Sequence, residues 1–586
     1  MTQTPTPVHL FNDEQWQQLH TILHQLDRQQ ALWLSGYLAG GRSDPQTEST
    51  AIQSQGQSVL VAFGTETDNC RQLAQQLAQS CTGIGIQAEI VDLAGVRPRK
   101  LTKTETLILI TATHGDGDPP EPIADFYEAI MADDAPALPD LAFAVLALGD
   151  SSYDHFCATG VALDNRFESL GAKRLINRQE CDLDFEQPAS AWFDQLLKIL
   201  EPSPTNIDLG SNTPAPLSIV KSAVEYNKRN PISVEVLTNQ NLSHPERKAA
   251  IHHLELALED DGFRLDPGDA VGVLVDNPPE LVALILDATE LSGEQAVTHA
   301  GLALPLVEVL REHRDLTIPG KAFLELWSNV TQSEELKLIV GGDNSQQRQF
   351  LRDHQIRDLV HLYPARPEPQ ALVDALRPLQ PRLYDVANSL DVVDDELHLT
   401  VKSYCYPFRN RLEPGIAAQY LLALEPGDNV RLYPHRNGRF HLPPQLETPI
   451  ILIAEGTGIA PYRAFIQALS KTADRPACWL IFAEKDFEND FLYQLDIQQA
   501  LEDGVCRHVN ATFSQISDGC SLAASVVNEG ERLASWLLQG AHIYFCGEKA
   551  SLEQCEAAIK TFVDEQAGAP AWKQLTKDKR IHRNLY

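Results

Sequence analysis

Short apolar runs separated by amphipathic segments dominate the first third of the chain. The runs VLVAF (59–63), LILI (107–110) and FAVLAL (143–148) alternate with stretches in which apolar residues recur at helical spacing. A strand that is buried on both faces is apolar without interruption, and such strands occur in parallel sheets covered by helices. The pattern therefore predicts a doubly wound parallel α/β sheet over residues 58–200.

The middle of the chain mixes two patterns. Residues 232–236 and 253–257 alternate as antiparallel strands do, residues 278–360 are mostly helical in spacing, and strand patterns return at 397–401 and 429–433. This order predicts an antiparallel sheet domain with a helical insertion.

From residue 449 onward the βα alternation resumes, with the apolar runs IILI (450–453), WLIF (479–482) and HIYF (542–545). Residues 10–40 have the spacing of two short helices, and the polar or proline-rich stretches before 58 and after 200 are typical of linkers. The predicted division is an N-terminal helical extension (1–42), a linker (43–57), the first α/β domain (58–200), a second linker (201–216), the sheet domain with its insertion at about 278–360 (217–442) and a C-terminal α/β domain (443–586).

The charge balance restricts the partners. Lys and Arg number 47 against 81 Asp and Glu, which gives a net charge of −34 at pH 7. So acidic a surface repels phosphodiester backbones and anionic lipids, which argues against binding to nucleic acid or to a membrane surface. It favours a protein partner with a basic face.

Cysteine usage and the absence of long apolar runs bear on compartment and metals. The ten cysteines include no CxxC pair, which argues against a zinc site, an iron–sulfur ligand set and a secreted disulfide framework, so no metal site is predicted. No apolar run approaches the roughly 20 residues of a membrane span, and the N-terminal residues are too polar for a signal peptide. We expect a soluble, cytoplasmic protein with reduced thiols.

Three unusual loops follow the three strands of the first α/β domain. Their sequences are GTETDNC (64–70), TATHGDGDPP (111–120) and LGDSSYDHFC (148–157). Each of them alone is typical of an ordinary polar turn. Ligands of open α/β sheets bind outside the carboxyl ends of the strands, and hydroxyls with free N–H groups at a helix start form a phosphate site without lysine. Three such loops at consecutive strand ends therefore predict one ligand site.

The three loops resemble the phosphate loop and the two isoalloxazine loops of a flavodoxin-like FMN domain. Further motifs extend the resemblance to the diflavin reductases, which join such a domain to a ferredoxin–NADP reductase-like module: RLYD (382–385), PGIAA (414–418), EGTGIAP (455–461), YFCG (544–547) and the aromatic Tyr586. The segment LWLSGYL (32–38) is similar to the helical extension of the sulfite reductase flavoprotein subunit, although an unrelated amphipathic helix has the same pattern.

The resemblance implies FMN, FAD and NADPH or NADH as cofactors. It implies that the sheet domain is an antiparallel β-barrel that binds FAD, and that the C-terminal α/β domain binds the nucleotide. Electrons would pass from the nucleotide through both flavins to a hemoprotein subunit that bears siroheme and an iron–sulfur cluster, and the N-terminal extension would form a homo-oligomer. The alternative is a diverged protein of the same fold that acts as a partner-binding scaffold or reduces another acceptor.

The resemblance also assigns residues. Cys546 and Asp385 are assigned to catalysis. Those assigned to FMN are Thr65, Glu66, Thr67, Asp68, Asn69, Cys70, Ala112, Thr113, His114, Gly115, Leu148, Gly149, Asp150, Ser151, Ser152, Tyr153, Asp154, His155, Phe156 and Cys157. Those assigned to FAD are Thr317, Arg382, Leu383, Tyr384, Thr400, Val401, Lys402, Tyr406, Gly415, Ile416, Ala417, Ala418 and Tyr586. The nucleotide is assigned to Gly456, Thr457, Gly458, Ser514, Gln515 and Gly547.

Within the FMN loops, two side chains are candidates for contact with the ring. Tyr153 is the stronger candidate for stacking, whereas His114 either stacks or only caps its turn. Asp68 replaces a glycine of the family pattern and sets a carboxylate beside the phosphate, which weakens FMN binding unless the side chain points outward.

The FAD and nucleotide sites also depart from the family pattern. Asp385 replaces a serine, Ala418 a hydroxyl and Asn584 an aspartate, so the carboxylate has either migrated within one site or been lost from a decayed site. The cations that hold the 2′-phosphate of NADPH in the family are replaced by Gln515 and Cys520, which predicts a weak preference for NADPH over NADH. The alternative is that another basic residue, such as Lys549 or Lys560, replaces these cations.

Overall fold

The computed structural model describes residues 58–65, 69–114, 117–151, 153, 155–200, 226–244, 247, 249–258, 260, 262–393, 395–515, 521–565 and 571–586. The helices predicted within 10–40 and the linkers predicted at 43–57 and 201–216 lie outside these residues. Residues 58–586 form one compact unit. Among the described residues, no helix combines the length and the apolar character that a membrane crossing requires.

The first sheet confirms the predicted doubly wound fold. Its strands pair in the order β2-β1-β3-β4-β5, with β6 beside β4, and every pairing is parallel. The strands are β1 (Ser58–Gly64), β2 (Gln87–Asp92), β3 (Thr106–Ala112), β4 (Ala142–Leu148), β5 (Lys173–Arg174) and β6 (Gln179–Cys181). The helices are α1 (Asn69–Gly83), α2 (Ala124–Met131), α3 (Ala158–Ser169) and α4 (Glu186–Leu200). Apolar cores cover both faces of the sheet, as the uninterrupted apolar runs require.

The second sheet is antiparallel and has six strands in the order β12-β9-β16-β7-β8-β13. Its strands are β7 (Ile232–Asn241), β8 (Ile251–Ala257), β9 (Ala270–Leu274), β12 (Arg382–Asp385), β13 (Glu396–Lys402) and β16 (Asn429–His435). The strand pairing does not close into a complete barrel, because β12 is too short to pair along β13. The two ends of the sheet meet at one antiparallel bridge between Val386 and Leu399.

A helical region with its own core is inserted between β9 and β12. It contains α5 (Pro279–Thr289), β10 (Ala296–His299), β11 (Leu302–Pro305), α6 (Leu306–Glu312), α7 (Lys321–Thr331), α8 (Glu334–Val340), α9 (Asn344–Arg352), α10 (Ile356–Leu362) and α11 (Pro369–Ala375). A hairpin, β14 (Cys405–Phe408) with β15 (Arg411–Pro414), and helix α12 (Ile416–Ala423) follow β13.

The third sheet is parallel in the order β19-β18-β17-β20-β21. Its strands are β17 (Ile450–Glu455), β18 (Cys478–Glu484), β19 (Cys506–Phe513), β20 (His542–Gly547) and β21 (Ile581–Leu585). The helices are α13 (Ile459–Lys471), α14 (Phe487–Asp490), α15 (Gln494–Glu502), α16 (Leu522–Asn528), α17 (Gly530–Leu538), α18 (Lys549–Glu565) and α19 (Trp572–Lys577). The carboxyl ends of β17, β18 and β20 lie side by side, facing the second sheet.

Candidate active site

A cavity of about 1500 Å³ is lined by residues from all three sheets and from the loops that follow their strands. The first sheet contributes loop residues after β1 and β3, the second contributes β12 and β13, and the third contributes the ends of β17, β18 and β21. The residues that the sequence assigned and that line the cavity are Thr65, His114, Leu383, Tyr384, Asp385, Thr400, Lys402, Gly456, Thr457, Ser514 and Tyr586.

The loop after β1 leads directly into helix α1, which begins at Asn69. The Thr65 hydroxyl is buried and has no hydrogen-bond partner among the described residues. An orphaned hydroxyl beside a helix N-terminus fits an anionic group such as a phosphate. Glu66, Thr67 and Asp68 lie outside the described residues, and the Cys70 side chain is fully buried in the core instead of facing the cavity.

The loop after β3 is a tight turn closed by two backbone hydrogen bonds. His114 N donates to Asp118 O over 2.9 Å, and Asp118 N donates to His114 O over 3.0 Å. Gly117 has φ +114°, and a Cβ there would lie 2.6 Å from the His155 Cβ, so glycine is required at this position. The His114 backbone therefore closes the turn while its side chain lines the cavity. Gly115 lies outside the described residues.

Ala112 ends β3, and the next residue, Thr113, anchors this loop to the neighbouring one. Thr113 N donates to Leu148 O over 3.0 Å, and Thr113 Oγ1 accepts from Thr159 N over 3.2 Å. The two predicted isoalloxazine loops are thus joined at their bases.

The loop after β4 is fixed by close packing at Gly149 and by polar contacts of Asp150 and Ser151. A Cβ on Gly149 would lie 2.8 Å from Cys157 N, and Ser151 N donates to Asp182 Oδ1 over 3.1 Å. Asp150 forms an ion pair with Arg377 of the second sheet domain. None of the described residues of this loop lines the cavity, and the Tyr153 ring is 52% exposed.

Other described residues of this loop are buried or pack against neighbouring residues. Leu148 and Cys157 are buried, and Cys157 has φ +55° at the start of α3. His155 packs over Gly117, and Phe156 Cδ2 lies 3.0 Å from where a Gly149 Cβ would be. Ser152 and Asp154 lie outside the described residues.

Helix α12 presents an uncapped N-terminus. Its N-cap is Gly415, which offers no side chain, and a Cβ at Gly415 would lie 3.0 Å from Tyr404 Cδ1. The first N–H groups of the helix, from Ile416 onward, have no side-chain cap, so they can hold a pyrophosphate in place of the family hydroxyl. The side chains of Ala417 and Ala418 are buried in the core of the second sheet.

Four further assigned residues, all from the second sheet domain, lie outside the cavity lining. Val401 is fully buried in the core. The Tyr406 hydroxyl accepts a hydrogen bond of 3.0 Å from Gln355 Nε2. Ile356, which follows Gln355 in the chain, donates its N–H to Thr317 O over 3.0 Å. Thr317 and Tyr406 are therefore brought together around the start of α10. Arg382 is exposed at the start of β12.

The glycine-rich turn Gly456–Gly458 packs against the end of β20 so closely that only glycine fits. A Cβ on Gly458 would lie 2.0 Å from Cys546 O, and one on Gly547, with φ +134°, would lie 2.5 Å from Glu455 O. Gly456 has φ +59°. Thr457 Oγ1 lies 2.8 Å from the Tyr586 hydroxyl, so this turn also places the terminal aromatic ring.

In the wall of the cavity, Asp385 and Asn584 meet the fully buried Cys546. Asp385 Oδ1 accepts a hydrogen bond of 2.8 Å from Asn584 Nδ2, and Asp385 Oδ2 lies 3.9 Å from Cys546 Sγ. Burial raises the pKa of Asp385 to about 6, although Asn584 and Cys546 favour its ionised form. Burial and the neighbouring carboxylate hold the pKa of the Cys546 thiol well above its ordinary value. The cysteine is thus a neutral thiol, and Asp385 is the one carboxylate in this group of three residues.

Two lysines without an assigned role line the cavity that contains the region predicted for the 2′-phosphate, and of these only Lys549 was considered from the sequence. Ser514 lines the cavity, whereas Gln515 is exposed, and its N–H donates to Lys485 O over 2.8 Å. Lys485 and Lys549 line the same cavity. Lys485 follows the predicted strand at 479–482, so its position at a strand end was the signal that could have identified it. Cys520 lies outside the described residues.

Three protein-family models match the chain in the order that this geometry suggests. The flavodoxin model matches residues 61–192, the FAD-binding domain model residues 225–420 and the oxidoreductase NAD-binding domain model residues 452–556. A flavodoxin domain followed by FAD- and NAD-binding domains defines a diflavin oxidoreductase, which uses FMN, FAD and a nicotinamide nucleotide.

Relatives over the full length are more specific. The chain is 35% identical to a protein of Bacillus subtilis (strain 168) over 98% of both chains, and 32% identical to one of Cronobacter sakazakii (strain ATCC BAA-894) over 100% of both. It is 33% identical over 96% of both chains to a protein of Neisseria meningitidis serogroup B (strain ATCC BAA-335 / MC58). All three are named sulfite reductase (NADPH) flavoprotein alpha-component. The chain belongs to this family of flavoprotein alpha-components.

Proposed function

We propose that this protein passes electrons from NADPH through FAD and FMN to the hemoprotein subunit of a sulfite reductase, the subunit that bears siroheme and an iron–sulfur cluster. The observation that carries the proposal is the single cavity that joins the phosphate-binding loop after β1, the β12–β13 edge and the turn Gly456–Gly458. Flavins suit this task because they exchange two electrons with a nicotinamide and single electrons with metal centres.

The residues that would hold FMN are those around the start of α1. The buried Thr65 hydroxyl and the N–H groups that begin at Asn69 would bind the phosphate. The loops that carry His114 and Tyr153 would flank the ring, with the exposed Tyr153 available for stacking. No cation is needed, because hydroxyl and backbone donors at a helix N-terminus supply the positive potential.

The residues that would hold FAD come from β12, α12 and the last strand. Arg382 and the uncapped N–H groups of α12 would bind the pyrophosphate, which compensates for the alanine at position 418. Tyr384 and Tyr586 both line the cavity and would contact the ring, and Thr457 orients Tyr586 through its hydroxyl.

Asp385 and Cys546 would act where nicotinamide meets flavin. Asn584 occupies Asp385 Oδ1, so Oδ2 is the oxygen that faces the Cys546 thiol. With a pKa of about 6, Asp385 is mostly ionised at pH 7, and its charge would stabilise the positive charge that develops on a nicotinamide as it is oxidised. This contact supports migration of the carboxylate within one site over decay of the site.

The remaining assignments are part of the same proposal. The acidic surface, with a net charge of −34, would dock a basic face of the hemoprotein, and the N-terminal extension (1–42) would form a homo-oligomer in the cytoplasm. The chain would divide into an FMN domain (58–200), an FAD domain (217–442) and a nucleotide-binding domain (443–586).

The test uses the purified full-length protein. We expect one FMN and one FAD per chain, reduction of both by NADPH, and electron transfer to a sulfite reductase hemoprotein that converts sulfite to sulfide. A colourless protein that binds the hemoprotein without turnover would instead support the scaffold alternative.

A further inference from the structure

The third sheet meets the second through a buried polar network on the outer face of β8 and β13. His253 on β8 and His398 on β13 are 6% and 4% exposed, and their rings lie edge to face with centroids 4.9 Å apart. Arg463 of α13 and Tyr493, which precedes α15, reach them from the third sheet. These four residues, His253, His398, Arg463 and Tyr493, are called the junction network below.

The hydrogen bonds of Arg463 fix the protonation of His398. Arg463 Nη1 donates to Ala387 O over 2.9 Å and lies 3.1 Å from His398 Nδ1. A guanidinium has no acceptor, so His398 Nδ1 must accept. The other ring nitrogen, Nε2, lies 2.8 Å from Glu396 Oε2 and donates to it. His398 is therefore neutral, with its proton on Nε2.

Tyr493 completes the network from the other side. Its hydroxyl lies 2.6 Å from Thr400 Oγ1 and 2.9 Å from His253 Nδ1, and the Arg463 guanidinium lies 5.1 Å from the centre of its ring. Tyr493 has φ +53°, a conformation that is costly for a residue with a large side chain. Such a conformation persists only where the surroundings hold it, which here is the junction network.

A metal ion is not the explanation for this cluster. His253, Glu255 and His398 place potential ligand atoms within 4.8 Å of one another. However, Arg463 and Glu396 occupy both nitrogens of His398, and the guanidinium adds positive charge where a cation would bind. Hydrogen bonding across the domain junction accounts for the cluster.

The junction network lies next to elements that line the cavity. Helix α13, which carries Arg463, starts directly after the turn Gly456–Gly458, and Thr457 of that turn lines the cavity. Strand β13, which carries His398, continues into Thr400 and Lys402, which also line the cavity. The network therefore fixes the spacing between the nucleotide turn and the flavin strand.

We propose that His398 and Arg463 are positioning residues that hold the turn Gly456–Gly458 at the spacing from β13 that flavin reduction by the nucleotide requires, and that protonation of His398 releases this hold. The proposal rests on the proposed function. The proposal goes beyond that function because it names residues that touch neither flavin nor nucleotide and because it gives the reaction a pH dependence.

The sign of the pH dependence follows from the groups around His398. The groups that face it are His253, Glu255, Glu396, Arg463 and Tyr493. Burial and Arg463 lower the pKa of His398 below its ordinary value, whereas Glu396 opposes this shift. A second ring proton would place two donors and two like charges 3.1 Å apart, at Nδ1 and Arg463 Nη1. The contact is therefore intact above the ordinary histidine pKa of about 6.5 and is lost progressively as the pH falls below it.

The experiment compares His398→Gln and His398→Leu with the parent protein, using His361→Gln at an exposed histidine as the matched control. Single-turnover flavin reduction by NADPH is followed between pH 5.5 and pH 8, together with hydrogen exchange of the α13 and β13 amides, corrected for intrinsic rates. Glutamine can accept from Arg463 and donate to Glu396 at any pH. His398→Gln should therefore keep the neutral-pH rate and reduce the acid loss to the part that protonation of Asp385, with its pKa of about 6, causes.

The parent and His361→Gln should lose roughly tenfold in rate on acidification, because small misplacements of reacting groups cost factors of this order or more. His398→Leu should be slower by a similar factor at every pH, with faster exchange in the first turn of α13. An acid loss that His398→Gln leaves unchanged, or a His398→Leu variant with the parent's rate and exchange, would overturn the proposal.

The experiment distinguishes a failure of this proposal from a failure of the proposed function. If NADPH does not reduce the parent at any pH, the proposed function fails, and hydrogen exchange alone decides on the junction network. An acid-induced increase in α13 exchange that is present in the parent and absent from His398→Gln supports the pH-dependent hold; its absence from the parent contradicts it.

Discussion

Asp385 Oδ1 accepts a hydrogen bond of 2.8 Å from Asn584 Nδ2, which joins the second sheet to the last strand of the chain inside the cavity. The bond crosses a domain junction. Of Asp385, Asn584 and Cys546, which lie together here, only Asp385 carries a carboxylate. Position 385 in β12 thus carries the charge, and position 584 in β21 carries its amide donor.

The buried carboxylate predicts a pH-dependent gain in stability from Asp385→Asn. A pKa of about 6 in the folded protein, against about 3.8 when unfolded, means that the folded state binds more protons between these values, so this group destabilises the fold as the pH rises through them. We expect Asp385→Asn to relieve up to about 3 kcal/mol of this cost at pH 8 and little of it at pH 4. Thermal unfolding at both pH values measures it, and an equal change at both would contradict the assignment.

The orphaned hydroxyl after β1 predicts selective loss of FMN. Thr65→Val removes the donor and keeps the shape, and a hydrogen bond to a charged group contributes about 1.5–3 kcal/mol, so FMN should bind about tenfold to a hundredfold more weakly while FAD content is unchanged. Flavin release followed by fluorescence titration measures the affinity. Thr102→Val, at an exposed threonine of the same domain, is the control. Retention of full FMN affinity by Thr65→Val would remove Thr65 from the phosphate site.

The nucleotide site predicts weak discrimination between NADPH and NADH. The two positions where the family pattern has cations carry Gln515 and Cys520. Gln515→Arg with Cys520→Lys should raise the efficiency with NADPH by about tenfold to a hundredfold and leave that with NADH unchanged. Steady-state rates with the two nucleotides decide between the outcomes.

This prediction would fail if Lys549, which lines the cavity, held the 2′-phosphate in place of the family cations. A strong NADPH preference in the parent that disappears in Lys549→Ala would show that this lysine has replaced the family clamp. Lys560→Ala, at an exposed lysine of the same helix that does not line the cavity, is the matched control.

The ion pair between Arg377 and Asp150 predicts that the junction between the FMN loop and the second sheet domain depends on these two charges. Arg377 Nη2 donates to Asp150 Oδ1 over 2.6 Å, and its side chain is 8% exposed. Asp150→Asn leaves a buried guanidinium without its counter-charge and should cost about 3–5 kcal/mol at the junction. Thermal unfolding and the rate of electron transfer from FAD to FMN measure the effect. The charge swap Asp150→Arg with Arg377→Asp should restore much of it, and failure of Asp150→Asn to change either measurement would exclude the pair from the junction.

The sequence predicted the central strands of the parallel sheets, β1, β3, β4, β17, β18 and β20, because their burial leaves an uninterrupted apolar run. Outer strands such as β2 and β21 were not predicted, because they are only partly buried and carry no such run. The run at 143–148 lies within Ala142–Leu148, and the run at 450–453 lies within Ile450–Glu455. The incomplete closure of the second sheet was not predictable, since the length of β12 depends on tertiary pairing.

Only those loops of the candidate site that carry a local sequence motif could be predicted. Thr65 and the turn Gly456–Gly458 belong to such loops. The contact between Asp385 and Asn584 joins residues 199 positions apart, and the pairing of Arg377 with Asp150 joins residues 227 positions apart. Local patterns contain no information on such contacts, and the same holds for the junction network.

The bond between positions 385 and 584 also constrains how this site changes in evolution. If Asn584 became aspartate while Asp385 remained, two carboxylates would face each other at hydrogen-bond distance in a buried site, and one would have to hold a proton. If Asp385 became serine while Asn584 remained, the thiol would lose the carboxylate beside it. Each single replacement passes through an impaired protein, so the two positions should covary across the family, as aspartate with asparagine or as serine with aspartate, and rarely in mixed combinations.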